Sequence, residues 1–304
     1  MTKKYVSVAI PLLLILLFMQ GCFNKEANKN SESSKEEWVS LFNEKDLSGW
    51  DIKITGSKLN DNYKNTFRVE DSMLRIVYDQ YTTFDDKFGH LYYQTPYSYY
   101  KIRYQYRFTG NQTPGGAEWN VRNSGVMIHS QSAKSVDINQ DFPVSLEVQL
   151  LGGLNKGERP TGNVCTPGTQ VFMQGKLRSD HCISSSSKTY NGDQWVSMTV
   201  IVLGDSIIRH IVEGYTVLTY ETPQIGGGFV GKDHNWTKAN ITDSAFWINQ
   251  DGKPLTKGYI ALQAESHPID FKKIELLNLV GCMDTKAKNY KDYYVKPDNK
   301  QCKY

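Results

Sequence analysis

The run Tyr100-Lys101-Ile102-Arg103-Tyr104-Gln105-Tyr106-Arg107-Phe108 alternates apolar with polar residues throughout. Alternation at period two puts every apolar side chain on one face of a strand, whereas a helix would scatter them around its circumference. The same period recurs along the chain and no stretch sustains a helical one, so the sequence predicts an all-β protein. Thr66-Phe67-Arg68-Val69 and Leu74-Arg75-Ile76-Val77 flank Glu70-Asp71-Ser72, a tight-turn sequence. Residues 195–203 and 207–212 read as a hairpin around Gly204-Asp205, and Glu213-Gly214 turns the chain into 215–220. Segments 258–264 and 271–279 read as closing strands. Many short strands separated by Gly, Asn and Asp point to an antiparallel two-sheet sandwich of jelly-roll type. Two long segments, 151–192 and 222–257, read as irregular, and loops of that length commonly carry function.

The ends differ from the body. Lys3 and Lys4 precede an apolar run that closes at Met19-Gln20-Gly21-Cys22, the order of a secretory signal. The small residue before Cys22 resembles the lipobox of bacterial lipoproteins, which implies lipidation at Cys22 and anchorage of the mature protein to the membrane of the cell envelope, periplasmic or cell-surface. An uncleaved anchor is the alternative. Residues 23–37 are rich in Asn, Lys, Ser and Glu and read as a flexible tether with a reach of roughly 20 Å. The expected layout is therefore a signal peptide at 1–22, a tether at 23–37, a jelly roll at 38–280 and a small C-terminal unit at 281–304. Removal of Lys3 and Lys4 takes the formal charge from +3 to about +1, which gives no reason to expect a nucleic-acid partner.

With Cys22 lipidated, Cys165, Cys182, Cys282 and Cys302 remain. Four cysteines allow three connectivities, among which locality favours Cys165–Cys182 and Cys282–Cys302. An oxidising compartment favours disulfides. A zinc site near His181 and Cys182 competes, but no Cys-x-x-Cys spacing supports it. The terminal unit resembles a Gly-Cys-x-Asp…Asn-Tyr…Cys motif found at the ends of extracellular bacterial proteins. Weak calcium binding by Asp284 and Asp298 stands there against a stapled tail with no chemistry.

Strand alternation also sorts the polar residues. Glu147 and Gln149 face away from the core side of 144–150, and Gln263 and Glu265 do so in 259–265. His129 leaves 125–129 opposite Val126 and Ile128. Each of these taken singly is the default solvated residue of a strand. Together, and with His267 two residues after Glu265, they offer carboxylates and imidazoles for acid–base work. The 19 tyrosines supply candidate surfaces for stacking on sugars. No Gly-x-Ser-x-Gly elbow, His-Glu-x-x-His or strand-borne Gly-x-Gly-x-x-Gly competes. Gly226-Gly227-Gly228 lacks the Lys-Ser/Thr of a phosphate loop.

Leu41-Phe42-Asn43-Glu44-Lys45-Asp46-Leu47-Ser48-Gly49-Trp50 is similar to the opening motif of the 3-keto-disaccharide hydrolase family. Asn123-Ser124-Gly125, Glu147-x-Gln149 and Leu262-Gln263…Pro268…Phe271…Ile274 resemble its later motifs in order and spacing. The resemblance runs from about Trp38 to Leu279. It implies a concanavalin A-like jelly roll and an extracytoplasmic enzyme that cleaves 3-keto-glycosides, with carbohydrate as partner. Glu147 and Gln149 match the family's Glu-x-Gln, and an enzyme of this kind would use Glu147, His129 and His267 as the acid–base set, with Asn123, Gln149, Gln263 and Glu265 on the sugar. His129 stands where many members have Arg, and Glu265 where many have His, which marks a divergent subgroup. A divalent metal on Glu147, His129 and Glu265 is one way to stabilise an enolate, although the sequence fixes no cofactor. A non-catalytic carbohydrate-binding lipoprotein, or a structural surface protein, would use the same fold.

Overall fold

The computed structural model describes Met1 and residues 34–227 and 235–304, so the expected leader and Cys22 lie outside the described residues, as does the tether up to Ser33. Residues 34–37, expected as the end of that tether, lie against the body instead. The Ser34 N–H donates to Asp292 Oδ1 (3.0 Å), and Glu36 and Glu37 pair with Lys101 and Lys291.

Strands β1–β19 are numbered along the described chain. One sheet runs β11 (Lys176–Arg178), β10 (Thr169–Met173), β15 (Tyr215–Ile225), β14 (Ile207–Val212) and β13 (Val196–Leu203). It continues through β6 (Tyr99–Phe108), β17 (Ile269–Asn278), β4 (Met73–Ile76) and β3 (Phe67–Glu70), and β1 (Val39–Ser40) also pairs with β17. The second sheet runs β12 (Cys182–Ile183), β9 (Asn163–Cys165), β8 (Leu146–Leu151), β7 (Asn123–Ser130), β16 (Tyr259–Ala264), β5 (Gly89–Tyr93) and β2 (Trp50–Ile54). Pairing within both sheets is antiparallel. This is the expected two-sheet jelly-roll sandwich of concanavalin type.

The core lies between the sheets. The inner row of β6, Tyr100, Ile102, Tyr104, Tyr106 and Phe108, is buried in one cluster with Val126 and Ile128 of β7 and Val148 and Leu150 of β8. Each aliphatic or phenylalanine side chain among them contributes about 1.5–3 kcal/mol on burial. On the outer side of the larger sheet, the buried carboxylate of Asp270 accepts from Arg75 Nε (2.8 Å) and Arg107 Nε (3.0 Å), which offsets its desolvation.

The turns follow their sequences. Asp71 (φ 52°) and Ser72 (φ 57°) are both left-handed, the geometry that closes a two-residue hairpin without splaying its strands. Glu213 (φ 48°) and Gly214 (φ 83°) repeat it. The segment 151–192 departs from expectation. It is not irregular but supplies β9 and β12 to one sheet edge and β10 and β11 to the other. These strands are too short for their alternation to stand out. Within 222–257, β15 persists to Ile225 and a short helix forms at Ser244–Ile248.

Both local disulfides are formed, and because Cys165 and Cys182 bond to each other they are not zinc ligands. Cys282–Cys302 closes the terminal unit, where β18 (Val280–Gly281) and β19 (Lys296–Pro297) pair in parallel. Asp284 accepts from the Lys286 N–H and the Tyr304 hydroxyl, and Asp298 from Gln301 Nε2. The two carboxylates thus serve turns within the unit.

Candidate active site

The outer face of the seven-stranded sheet is built from registered rows. Asp51, Tyr92, Ala261, Met127, Glu147, Cys165 and Cys182 stand opposite one another from strand to strand, so one row carries Glu147 beside the disulfide. Gln149 lies in the adjacent row, between Gly125 and Asn163. Glu147, Gln149 and Leu151 therefore share the outer face of β8, where a cavity of about 820 Å³ opens above them.

Asn123, Glu147, Gln149, Arg159 and Glu265 line that cavity. Asn163 Nδ2 donates to Gln149 Oε1 (2.9 Å) and holds that amide in place. Asn123 Nδ2 donates to the Trp119 carbonyl (3.3 Å), tying the floor to the short turn that carries the Trp119 ring. Gly125 makes room for Glu147: a Cβ there would lie 2.5 Å from Glu147 Cγ and 2.6 Å from Oε1.

The electrostatics centre on two buried carboxyls. Burial pushes Glu147 up to about 8, opposed by the Gln263 amide. Glu265 rises well above the ordinary carboxylate range through burial and then through the charge of Glu147, while Arg159 opposes the rise. Like charges in a poorly solvated site cannot both ionise freely, so the pair retains a proton near neutral pH. Arg159 Nη1 donates to the carbonyls of Arg122 (3.1 Å) and Gly152 (2.6 Å), which fixes the guanidinium beside the carboxyls. Buried Glu265 Oε2 and Asn123 Oδ1 have no hydrogen-bond partner among the described residues, unusual for a site with no polar ligand to receive.

The two histidines of the expected set are placed elsewhere. His129 has left-handed backbone (φ 49°) at a bulge between β7 and β16, which breaks the alternation that assigned it to Glu147's face. Its Nε2 instead meets the Gly204 carbonyl of the opposite sheet at 3.0 Å. The metal set Glu147, His129 and Glu265 is accordingly not assembled, and among the described residues no cluster of His, Cys, Asp and Glu suits a metal. The residues do not fit such an ion. His267 follows left-handed Ser266 (φ 73°) and turns toward the core, where its ring packs edge-on against Phe108 at 5.7 Å. Burial and then Arg122 hold it down at about 4, against Asp193, so it is neutral at pH 7.

Of the expected binding residues, Asn123, Gln149 and Glu265 line the cavity and Gln263 adjoins Glu147. Sequence reasoning missed Arg159, which lies in a loop with no period to read, and Trp119. The Trp119 ring is 55% exposed at the cavity and stacks on Phe88 (6.1 Å between centroids, 11° between planes). Trp119 and Phe142, not tyrosines, form the aromatic wall.

Residues 37–277 match the model of a family described as a 3-keto-alpha-glucoside-1,2-lyase-like domain. No curated protein matches the chain. Among solved structures, a protein of Parabacteroides distasonis ATCC 8503 named as a candidate glycosyl hydrolase is 15% identical, with a TM-score of 0.48, over 80% of this chain and 100% of its own. A LamA variant of Z. galactanivorans in complex with laminaritriose and laminaritetraose is 9% identical, with a TM-score of 0.45, over 80% and 98%. The carbohydrate binding module CBM66 of Bacillus subtilis is 8% identical, with a TM-score of 0.37, over 81% and 99%. At these scores the three bear on neither chemistry nor substrate.

Proposed function

We propose that this chain, which belongs to the 3-keto-alpha-glucoside-1,2-lyase-like family, cleaves 3-keto-glycosides by eliminating the group on C1. The observation that carries this reading is the buried carboxyl pair Glu147 and Glu265 beside Arg159 in the cavity, both held above the ordinary carboxylate range. A ketone at C3 acidifies the hydrogen on C2. The ionised member of the pair removes that proton, and the C–H electrons become an enolate. The enolate then collapses to a C1=C2 double bond and expels the glycosidic oxygen, which takes a proton from the protonated member. One proton enters the pair and one leaves it, so the pair ends the turnover as it began. Arg159 supplies the positive charge for the C3 oxygen as the enolate forms. Asn123, Gln149 and Gln263 hold the sugar hydroxyls, and Trp119 stacks on the ring. Water adding to the unsaturated product completes a net hydrolysis.

His129 and His267 take no part in this scheme, since His129 binds Gly204 and His267 packs on Phe108. The two disulfides and the leader-like sequence support an extracytoplasmic location, with Cys22 as the lipid anchor. The exposed Trp119 ring favours one second reading, a non-catalytic carbohydrate-binding lipoprotein. Release of 4-nitrophenol from its 3-keto-glucoside by protein lacking residues 1–22 separates the two. Release that is lost in Glu147→Gln is the expected result, whereas sugar binding with no release would leave only the binding role.

A further inference from the structure

The chain leaves β12 through four consecutive serines, Ser184 to Ser187, a composition usual in flexible linkers. Here the segment is fastened down. It starts at the Cys165–Cys182 disulfide. The Ser185 N–H donates to Asn163 Oδ1 (2.8 Å) and its hydroxyl to the Thr161 carbonyl (2.6 Å), while Ser187 Oγ accepts from the Thr161 N–H (2.7 Å). The segment is therefore a strap along the connection from β8 to β9, which carries Arg159.

Both ends of the Arg159 residue rest on this strap. At the main chain, the Arg159 N–H donates to Thr189 Oγ1 (2.7 Å). At the guanidinium, Nη1 donates to the Gly152 carbonyl (2.6 Å), and the N–H of that same peptide group, on Gly153, donates to the Tyr190 carbonyl (2.7 Å). The Asn155 N–H donates to Asn191 Oδ1 (2.9 Å). The approach is close: a Cβ on Gly153 would overlap Asn191 Oδ1 and lie 2.8 Å from Thr189 Cγ2. The other acceptor of Nη1 is the carbonyl of Arg122, whose own guanidinium bonds Asp193 Oδ1 (3.0 Å) and the Gly192 carbonyl. Among the described residues, each hydrogen bond of Arg159 thus leads to the run 189–193, directly or through one further residue.

Resting on the role proposed above for Arg159, we infer that Thr189-Tyr190-Asn191 sets the place of its guanidinium, with Thr189 as the positioning side chain. Thr189 does not line the cavity and acts only through Arg159. A residue in a connection between strands lacks the ladder that would hold it within a sheet, and the hydroxyl of Thr189 supplies that constraint instead. Misplacing a catalytic group by about 1 Å costs up to about 100-fold in rate.

The test uses Thr189→Val, which keeps the branched shape and removes the acceptor, beside Thr189→Ser, which keeps the acceptor. With the 3-keto-glucoside of 4-nitrophenol, kcat should fall about tenfold or more in Thr189→Val with KM within about twofold, and Thr189→Ser should recover the parent rate. Adding Thr189→Val to Arg159→Ala should cost nothing further. A parent-like kcat in Thr189→Val, a loss that Thr189→Ser shares, or full additivity with Arg159→Ala overturns the inference. Should Thr189→Val fail to fold by circular dichroism, the exposed Asn191→Ala takes its place in the same cycle. A several-fold loss of kcat there supports the inference, and an unchanged kcat ends it. If the parent releases no 4-nitrophenol, the proposed chemistry fails by itself, and the NMR signal of the Arg159 Nε–H group decides the positioning. A signal displaced in Thr189→Val and restored in Thr189→Ser supports it, whereas an unmoved signal ends it.

Discussion

Gly125 of β7 lies directly under the side chain of Glu147 on the neighbouring β8, with no space for even one added carbon between them. Nothing in the Gly125 backbone demands glycine, since its φ is not positive. The requirement comes from the carboxyl above it. Gly125→Ala is expected to displace Glu147 and lower kcat/KM by about 10- to 100-fold, a loss on the scale of one misplaced catalytic group. The overpacking costs about 1–3 kcal/mol of stability. In a Glu147→Ala background the same substitution should change the remaining activity little, which a double-mutant cycle of kcat/KM measures.

The carboxyl pair gives stability an unusual pH dependence. Glu147 titrates near 8 when folded, against its ordinary 4.5, so the folded protein holds more protons than the unfolded chain between those values. The stabilisation is therefore fully present below about pH 4.5 and is lost as pH rises toward about 8. Denaturant titration across that window should show this component falling with pH, and Glu147→Gln should flatten it.

Activity carries the same signature with a different reading. The proposed scheme needs one ionised and one protonated carboxyl, so kcat/KM should rise as pH climbs toward about 8, where Glu147 ionises and its charge holds the proton on Glu265. A pH–rate profile flat from about 6 to 9 would sink the two-carboxyl scheme.

Trp119 is expected to act through binding. Its ring is supported by Phe88 and exposed at the cavity, so Trp119→Ala should raise KM about tenfold with kcat nearly unchanged. A collapse of kcat alone would contradict a stacking role.

Asp270 tests the fold apart from the site. It is fully buried between Arg75 and Arg107, and Asp270→Ala leaves two partly exposed guanidiniums facing each other. The expected loss, allowing for that exposure, is about 2–4 kcal/mol in chemical denaturation, with kcat/KM within about twofold of the parent.

How far these features were legible depended on local order. The β6 alternation, the Asp71-Ser72 turn and both disulfides could be read because each rests on a short-range rule that the fold obeys. Glu147 and Glu265 could be placed on one face by alternation alone. His129 and His267 could not, because a left-handed residue reverses the parity at each: His129 itself and Ser266. Nothing in the sequence announces such a reversal, since neither His nor Ser signals positive φ as Gly does. Arg159 is held by main-chain carbonyls of Arg122 and Gly152, contacts that no pattern of side chains encodes.

The clasp between Ser34 and Asp292 has a consequence for how this chain could be rewired. Ser34 donates to Asp292, and Lys288 binds the carbonyl oxygen of Tyr304, so both ends of the body from Ser34 to Tyr304 are fastened to the same small disulfide-closed unit. A linker between them would run over that one unit. The exposed Gly175 turn between β10 and β11 then offers a place to open new termini. Such a circular permutant would keep Glu147, Arg159 and Glu265 in their present strands and loops, because the cavity is indifferent to where the polypeptide starts.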